Sequence, residues 1–180
     1  MSQRRVQLVI LCEDRQQEVF ARHFLEKRGF TGLFRTQICL KGSQSGEQYV
    51  RTQYPLEVKA YRQNKNRVSI GLVVLTDADT GTQQERLNQL AHILSEDLQQ
   101  ARQTVEAIAI FTPKRNIETW IHYLQSGEPI DEIVAYSKLT NQGECKPFVE
   151  KLADQCVQGL PANAPLSMHD ACMELKRIIE

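Results

Sequence analysis

The stretch VSIGLVVLTDADTGT, residues 68–82, decides the fold. Val68 to Leu75 is mostly apolar and β-branched, and it stops abruptly at Asp77 and Asp79. Such a run reads as a strand buried on both faces, as in a parallel α/β sheet. Ligands of these sheets sit beyond the carboxyl ends of the strands, where this pair of aspartates falls. Two carboxylates at i, i+2 repel and raise each other's pKa unless a cation intervenes. Magnesium suits them, because it takes hard oxygen ligands and keeps several waters around few carboxylates. The competing reading is a plain loop in which Asp79 or Thr82 caps the next helix. Residues 68–82 alone leave both readings open.

Upstream, Val6 to Cys12 reads as a first strand ending at Glu13-Asp14, and residues 15–28 as a helix with Phe20 and Phe24 in its stripe, stopped by Gly29. Phe34 to Leu40 is a weaker strand, followed by the loop KGSQSGEQ. Residues 47–65 read as helix interrupted at Pro55, which predicts two pieces or a kink. Downstream, Leu87, Leu90, Ala91, Leu94 and Leu98 recur at helical spacing and predict a helix over 83–101. A strand over Val105–Phe111 and a helix over 116–125, with Ile117, Trp120, Ile121 and Leu124 inward, follow. Residues 126–145 are irregular, 146–157 a helix with Phe148, Leu152 and Cys156 aligned, and 167–180 a last helix with Ser167 and Asp170 as a capping box.

Strand and helix alternate, which predicts an α/β fold: a mainly parallel sheet with helices on both faces. The organisation expected is an α/β core over 1–125 and a helical extension over 126–180, packed on or beside it. Right-handed crossovers gather the strand ends on one edge, and with them Glu13, Asp77 and Asp79. That convergence favours the metal reading over the cap.

Composition narrows the function classes. The 180 residues are 41% hydrophobic with zero formal net charge, so no global basic field points to nucleic acid. Positive charge is local: Arg51, Lys59, Arg62, Lys65 and Arg67 face only Glu57 within residues 51–67. This is either a solvated helix face or a patch that tracks phosphates. The five cysteines form no CxxC pair and are odd in number, which predicts reduced thiols in a cytoplasmic protein and no zinc site. The apolar run near the start is far shorter than the roughly 20 residues needed to span a bilayer, so neither signal peptide nor membrane anchor is expected. The GxxxxGK[ST] phosphate loop is missing, so the chain is not itself a P-loop ATPase.

A glutamate after the first strand, a helix, then D-x-D after a later central strand resembles the Toprim domain, over roughly residues 6–122. CEDRQQEVFARHFLEKRGF resembles the segment that opens small stand-alone Toprim proteins, with Asp14 in place of the usual glycine and Gln17 where an acid is common. PKRNIETW and GECKPFVEKLA resemble two further elements of small Toprim-like proteins found beside bacterial defence genes, related to nucleases of the overcoming-lysogenization-defect type. The haloacid dehalogenase loop is a poorer fit, because Gly81 falls where that motif has threonine or valine.

The resemblance implies a magnesium-dependent nuclease, with manganese as substitute, acting in anti-phage defence. Glu13, Asp77 and Asp79 would hold one or two metals, Glu118 would complete the second, and Lys146 would offset charge on the phosphate. Arg62, Lys65, Arg67, Lys114 and Arg115 are the expected nucleic-acid contacts. The expected partners are nucleic acid and an ABC-type or AAA ATPase in trans, docked on the final helix, with a homo-oligomer also open. The alternative is a catalytically degenerate Toprim module, suggested by Gln17, that binds nucleic acid or a partner protein without cutting.

Overall fold

The computed structural model describes residues 7–179; Val6, expected to open the first strand, and Glu180 lie outside them. The elements are β1 Gln7–Cys12, α1 Arg15–Lys27, β2 Phe34–Ile38, α2 Gly46–Asn64, β3 Ile70–Leu75, α3 Gln83–Glu96, β4 Ile108–Phe111, α4 Ile117–Ser126, a 3-10 turn Gln142–Cys145, α5 Lys146–Gln158 and α6 Leu166–Ile179.

The four strands form one all-parallel sheet in the order β2-β1-β3-β4. Successive strand residues point to opposite faces, and both faces are covered. Leu8, Ile10, Val73, Leu75 and Phe111 pack with residues of α1, α4, α5 and α6. Val9, Leu11, Leu72, Val74 and Ile110 pack with residues of α2 and α3. This is the expected α/β fold with helices on both faces. The chain leaves β1 toward β2, then crosses back over β1 to β3. The direction of winding therefore reverses between β1 and β3, which opens a crevice at their carboxyl ends.

Several local expectations are corrected. The apolar runs overshoot the ladder: Val68 and Val105 are 48% and 89% exposed, so β3 and β4 start later than their apolar stretches. α2 runs unbroken through Pro55. Val50, Tyr54, Val58 and Tyr61 lie on one helical face and hold both halves against the sheet, outweighing the helical hydrogen bond that proline cannot donate. α3 ends at Glu96, and Leu98 leaves the stripe altogether, 95% exposed at φ 57°. Ser167 lies inside α6 and does not cap it; the Pro165 carbonyl accepts from the Met168 and His169 amides. The buried Ser167 hydroxyl accepts from Trp120 Nε1 at 2.8 Å and donates to Glu132, tying α4 to α6.

The expectation of five reduced thiols also fails. Cys156 and Cys172 form a disulfide between α5 and α6, with Cα atoms 5.1 Å apart, while Cys12, Cys39 and Cys145 are free. No motif marks this pair, because only the turn of the chain at the Pro161–Pro165 linker brings the end of α5 against α6. No described helix is long and apolar enough to cross a membrane.

α6 closes the outer edge of β4. Glu174 accepts the Ile110 amide at 2.8 Å, Arg102 donates to the Ile108 carbonyl at 2.9 Å, and the two side chains pair with each other. The ion pair supplies what a fifth strand would supply. The inner face of α6, with Met168, Ala171 and Leu175, is buried in the core, while Leu166 and Met173 face out.

Two outcomes follow from this packing. Glu174→Ala strands the Ile110 amide and the Arg102 charge together, and should cost about 3 kcal/mol in denaturant unfolding. Reducing the Cys156–Cys172 bridge frees a loop of 16 residues' separation. The loss is about 3 kcal/mol on the loop-closure account, read as a melting temperature lower by roughly 10 °C in dithiothreitol.

Candidate metal centre at the carboxyl edge of the sheet

Glu13 follows β1 directly, and its carboxylate crosses to the neighbouring strand end. Glu13 Oε1 accepts from Thr76 Oγ1 at 2.6 Å and from the Asp77 amide at 2.8 Å. Gln17, fully buried in the first turn of α1, returns the connection. Its Oε1 accepts from the Glu13 amide and its Nε2 donates to Asp77 Oδ1, both at 2.9 Å. A neutral amide can donate to one group and accept from another, which an acid at this position, ionised, cannot do. Asp14 caps α1 through the Gln17 amide and pairs with Lys138 at 3.8 Å. The start of α2 closes in from the other face. A Cβ at Gly46 would lie 2.6 Å from Glu13 Cβ and 2.9 Å from its carbonyl oxygen, so this approach requires glycine.

The Asp77–Asp79 loop is fastened to the segment after β4. The Ala78 amide donates to the Pro113 carbonyl at 2.9 Å and the Asp79 amide to the Arg115 carbonyl at 3.2 Å. Thr82 caps α3 in a full capping box with Glu85. The cap reading of the loop is thus satisfied by Thr82, and neither aspartate is used for it. Asp79 sits at φ 53°, a left-handed conformation that aspartate tolerates better than most side chains. Its carboxylate is 54% exposed and lies 3.4 Å from Arg86 Nη2. Arg86 also donates to the Asp77 carbonyl at 2.9 Å and pairs with Glu47 at 2.6 Å, binding the loop to α2.

Burial and crowding disturb the acids together. Burial drives Asp77 well above the usual carboxylate range, and the charges of Glu13, Asp14, Glu118 and Asp79 add to it. Glu13 is raised to about 7, chiefly by burial, against the hydrogen bonds from Thr76 and Asp77. Glu118, in the first turn of α4, is raised by burial and by Asp14. Its Oε1 is buried with no hydrogen-bond partner among the described residues.

Glu13 and Asp77 are therefore brought together, with Glu118 and Asp14 within electrostatic reach, while Asp79 turns outward to Arg86. Among the described residues, no three His, Cys, Asp or Glu side chains converge into a ready-made metal cage. The donors nevertheless suit magnesium, which needs only one or two carboxylates beside its waters. Glu13 and Asp77 each have an oxygen outside the hydrogen bonds just described.

The predicted cations divide by position. Lys114 and Arg115 lie at the carboxyl edge, on the segment that fastens the Asp77–Asp79 loop. Arg62, Lys65 and Arg67 do not join the site. α2 begins beside Glu13 and runs 19 residues, about 28 Å, so its far end lies at the opposite edge of the sheet. Arg62 is moreover committed to Glu106, at 2.7 and 3.0 Å, and to the Gln100 and Ala101 carbonyls. Lys146 is 56% exposed, with Glu150 at 4.0 Å as its ion-pair partner. The lysine beside the acids is Lys138, from the stretch 126–145 that has no periodic pattern to read. Arg86 was missed too, since only its long reach across the loop makes it part of the site.

No family model, no curated protein and no solved structure matches this chain.

The raised acids make a signed prediction. Glu13 ionises near 7 in the fold and near its ordinary value of 4.5 when unfolded. Its contribution is fully present below 4.5 and is lost as pH rises to about 7, because the unfolded chain gives up the proton first. In EDTA at pH 8, Glu13→Gln should therefore melt several degrees above wild type, with the gap closing near pH 4. An equal or lower melting temperature for the variant at pH 8 would contradict this account.

Proposed function

We propose that this chain is a magnesium-dependent phosphodiesterase that cleaves nucleic acid. The observation that carries the reading is the Glu13–Asp77 pair, a half-buried and a buried carboxylate at the β1/β3 crevice with both pKa values raised. Such a pair repels itself when ionised, and a divalent cation relieves it. Magnesium there supplies Lewis-acid activation of water and of the phosphate. Gln17 and Thr76 hold the two carboxylates in place through their hydrogen bonds. Lys114 and Arg115, on the segment that fastens the Asp77–Asp79 loop, would serve as phosphate contacts, and Lys138 pairs with Asp14 at 3.8 Å. The acid Glu118 is available at the same edge to extend the metal site or to exchange a proton.

A second reading has its own support. Asp79 is held by Arg86, and among the described residues no three acids converge, which suits a module that binds nucleic acid or a partner without cutting. In either case the reading keeps an ATPase partner in trans and a role in anti-phage defence, on the strength of the Toprim resemblance. Docking on α6 is now confined to its outer side around Leu166 and Met173.

Incubating the purified chain with plasmid, linear DNA and RNA, in magnesium, manganese or EDTA, tests the proposal. The expected result is metal-dependent cleavage, reduced at least a hundredfold in Glu13→Gln and Asp77→Asn with folding intact. Binding without cleavage under every condition would favour the second reading, and full activity in Asp77→Asn would end the first.

A further inference from the structure

The two edges of the sheet are treated differently. At β4 the outward amide of Ile110 and carbonyl of Ile108 are taken by Glu174 and Arg102. At β2 the pattern runs otherwise. Leu8 stands opposite Phe34 and its amide goes to the Leu33 carbonyl, so residues 33, 35 and 37 turn toward β1. The main-chain groups of Phe34, Thr36 and Ile38 turn outward, and among the described residues no hydrogen bond reaches them. The strand is half-exposed along its length, whereas β4 is buried throughout. Leu33 and Leu40, at its two ends, are 80% and 74% exposed.

We infer that β2 is a self-pairing edge, at which a second copy of this chain adds its own β2 antiparallel to form one continuous eight-stranded sheet. The strand Phe34-Arg35-Thr36-Gln37-Ile38 is complementary to itself about a two-fold axis at Thr36. The outward groups of Phe34, Thr36 and Ile38 then meet those of the partner's Ile38, Thr36 and Phe34. Phe34 and Ile38 share the face that packs toward α1, so an aromatic ring stands opposite a β-branched side chain, a favourable cross-strand pair. On the other face Arg35 stands opposite the partner's Gln37, so no like charges are opposed. Arg35 is already paired with Glu57 at 2.6 Å. Because the β4 edge is closed, the assembly stops at two copies and does not grow into a filament.

The test is sedimentation of the full chain from low to high micromolar concentration, with amide hydrogen exchange. Thr36→Pro deletes one outward amide without touching the β1–β2 ladder, because that amide points away from β1. Thr36→Val removes the hydroxyl but keeps the amide, and so controls for the Thr36 contact with Arg22. The expected result is a doubled mass for wild type and Thr36→Val, a single-chain mass for Thr36→Pro, and slowed exchange at Phe34, Thr36 and Ile38 as the dimer forms. A wild-type chain that stays monomeric, or a dimer in which those three amides exchange freely, overturns the inference. So does a dimer that persists in a folded Thr36→Pro protein. If Thr36→Pro does not fold, the wild-type exchange pattern alone decides.

Discussion

Two side chains, Glu13 just after β1 and Gln17 in the first turn of α1, hold the carboxyl edge together. Glu13 reaches from the end of β1 to Thr76 and Asp77, and Gln17 reaches to Asp77 while holding the Glu13 amide. Without them, two crowded carboxylates would separate, because each is destabilised by burial and by the other's charge. The winding reversal between β1 and β3 forces both acids onto the same crevice, so the hydrogen bonds answer a problem that the topology creates. Gln17 explains itself in these terms: as an acid it would add another charge to the cluster, whereas as an amide it both donates and accepts.

The same topology sets the electrostatic background. In a parallel sheet with helical crossovers, each helix starts where a strand ends. The side chains of Asp14, Ser45, Thr82 and Asn116 cap α1, α2, α3 and α4. The positive ends of four helix dipoles therefore lie along the edge that carries the acids. They temper the carboxylate repulsion and make the edge receptive to an anionic ligand. The cations that the chain adds there include Lys114, Arg115, Lys138 and the enclosed Arg86. At the other end of α2, Arg62 fastens the helix end to the loop before β4.

The residues after 125 belong to the energetics of the sheet. α5 packs its Val149 and Leu152 into the core beside Phe20 and Trp120, and α6 seals the β4 edge. The disulfide joins these two helices to each other and leaves the strands untouched. An edge sealed on one side and open on the other gives the sheet a direction in which it can be extended.

The sequence by itself determined the alternation of strands and helices, and the parallel sheet with them, because burial on two faces leaves an apolar run that needs no partner to be read. It also marked Glu13, Asp77 and Asp79, since acids at strand ends must fall on one edge once crossovers are right-handed, whereas Glu118 came only with the family resemblance. Tertiary structure alone decided which groups touch. Leu98 satisfies the helical period yet lies in solvent, because a period says nothing about where a helix stops. Arg62 and Lys114 look alike as cations in the chain, but the length of α2 carries one to the far edge of the sheet. Lys138, Arg86 and the Cys156–Cys172 bridge arise from contacts between segments distant in sequence or across a turn, and such contacts leave no local pattern to read.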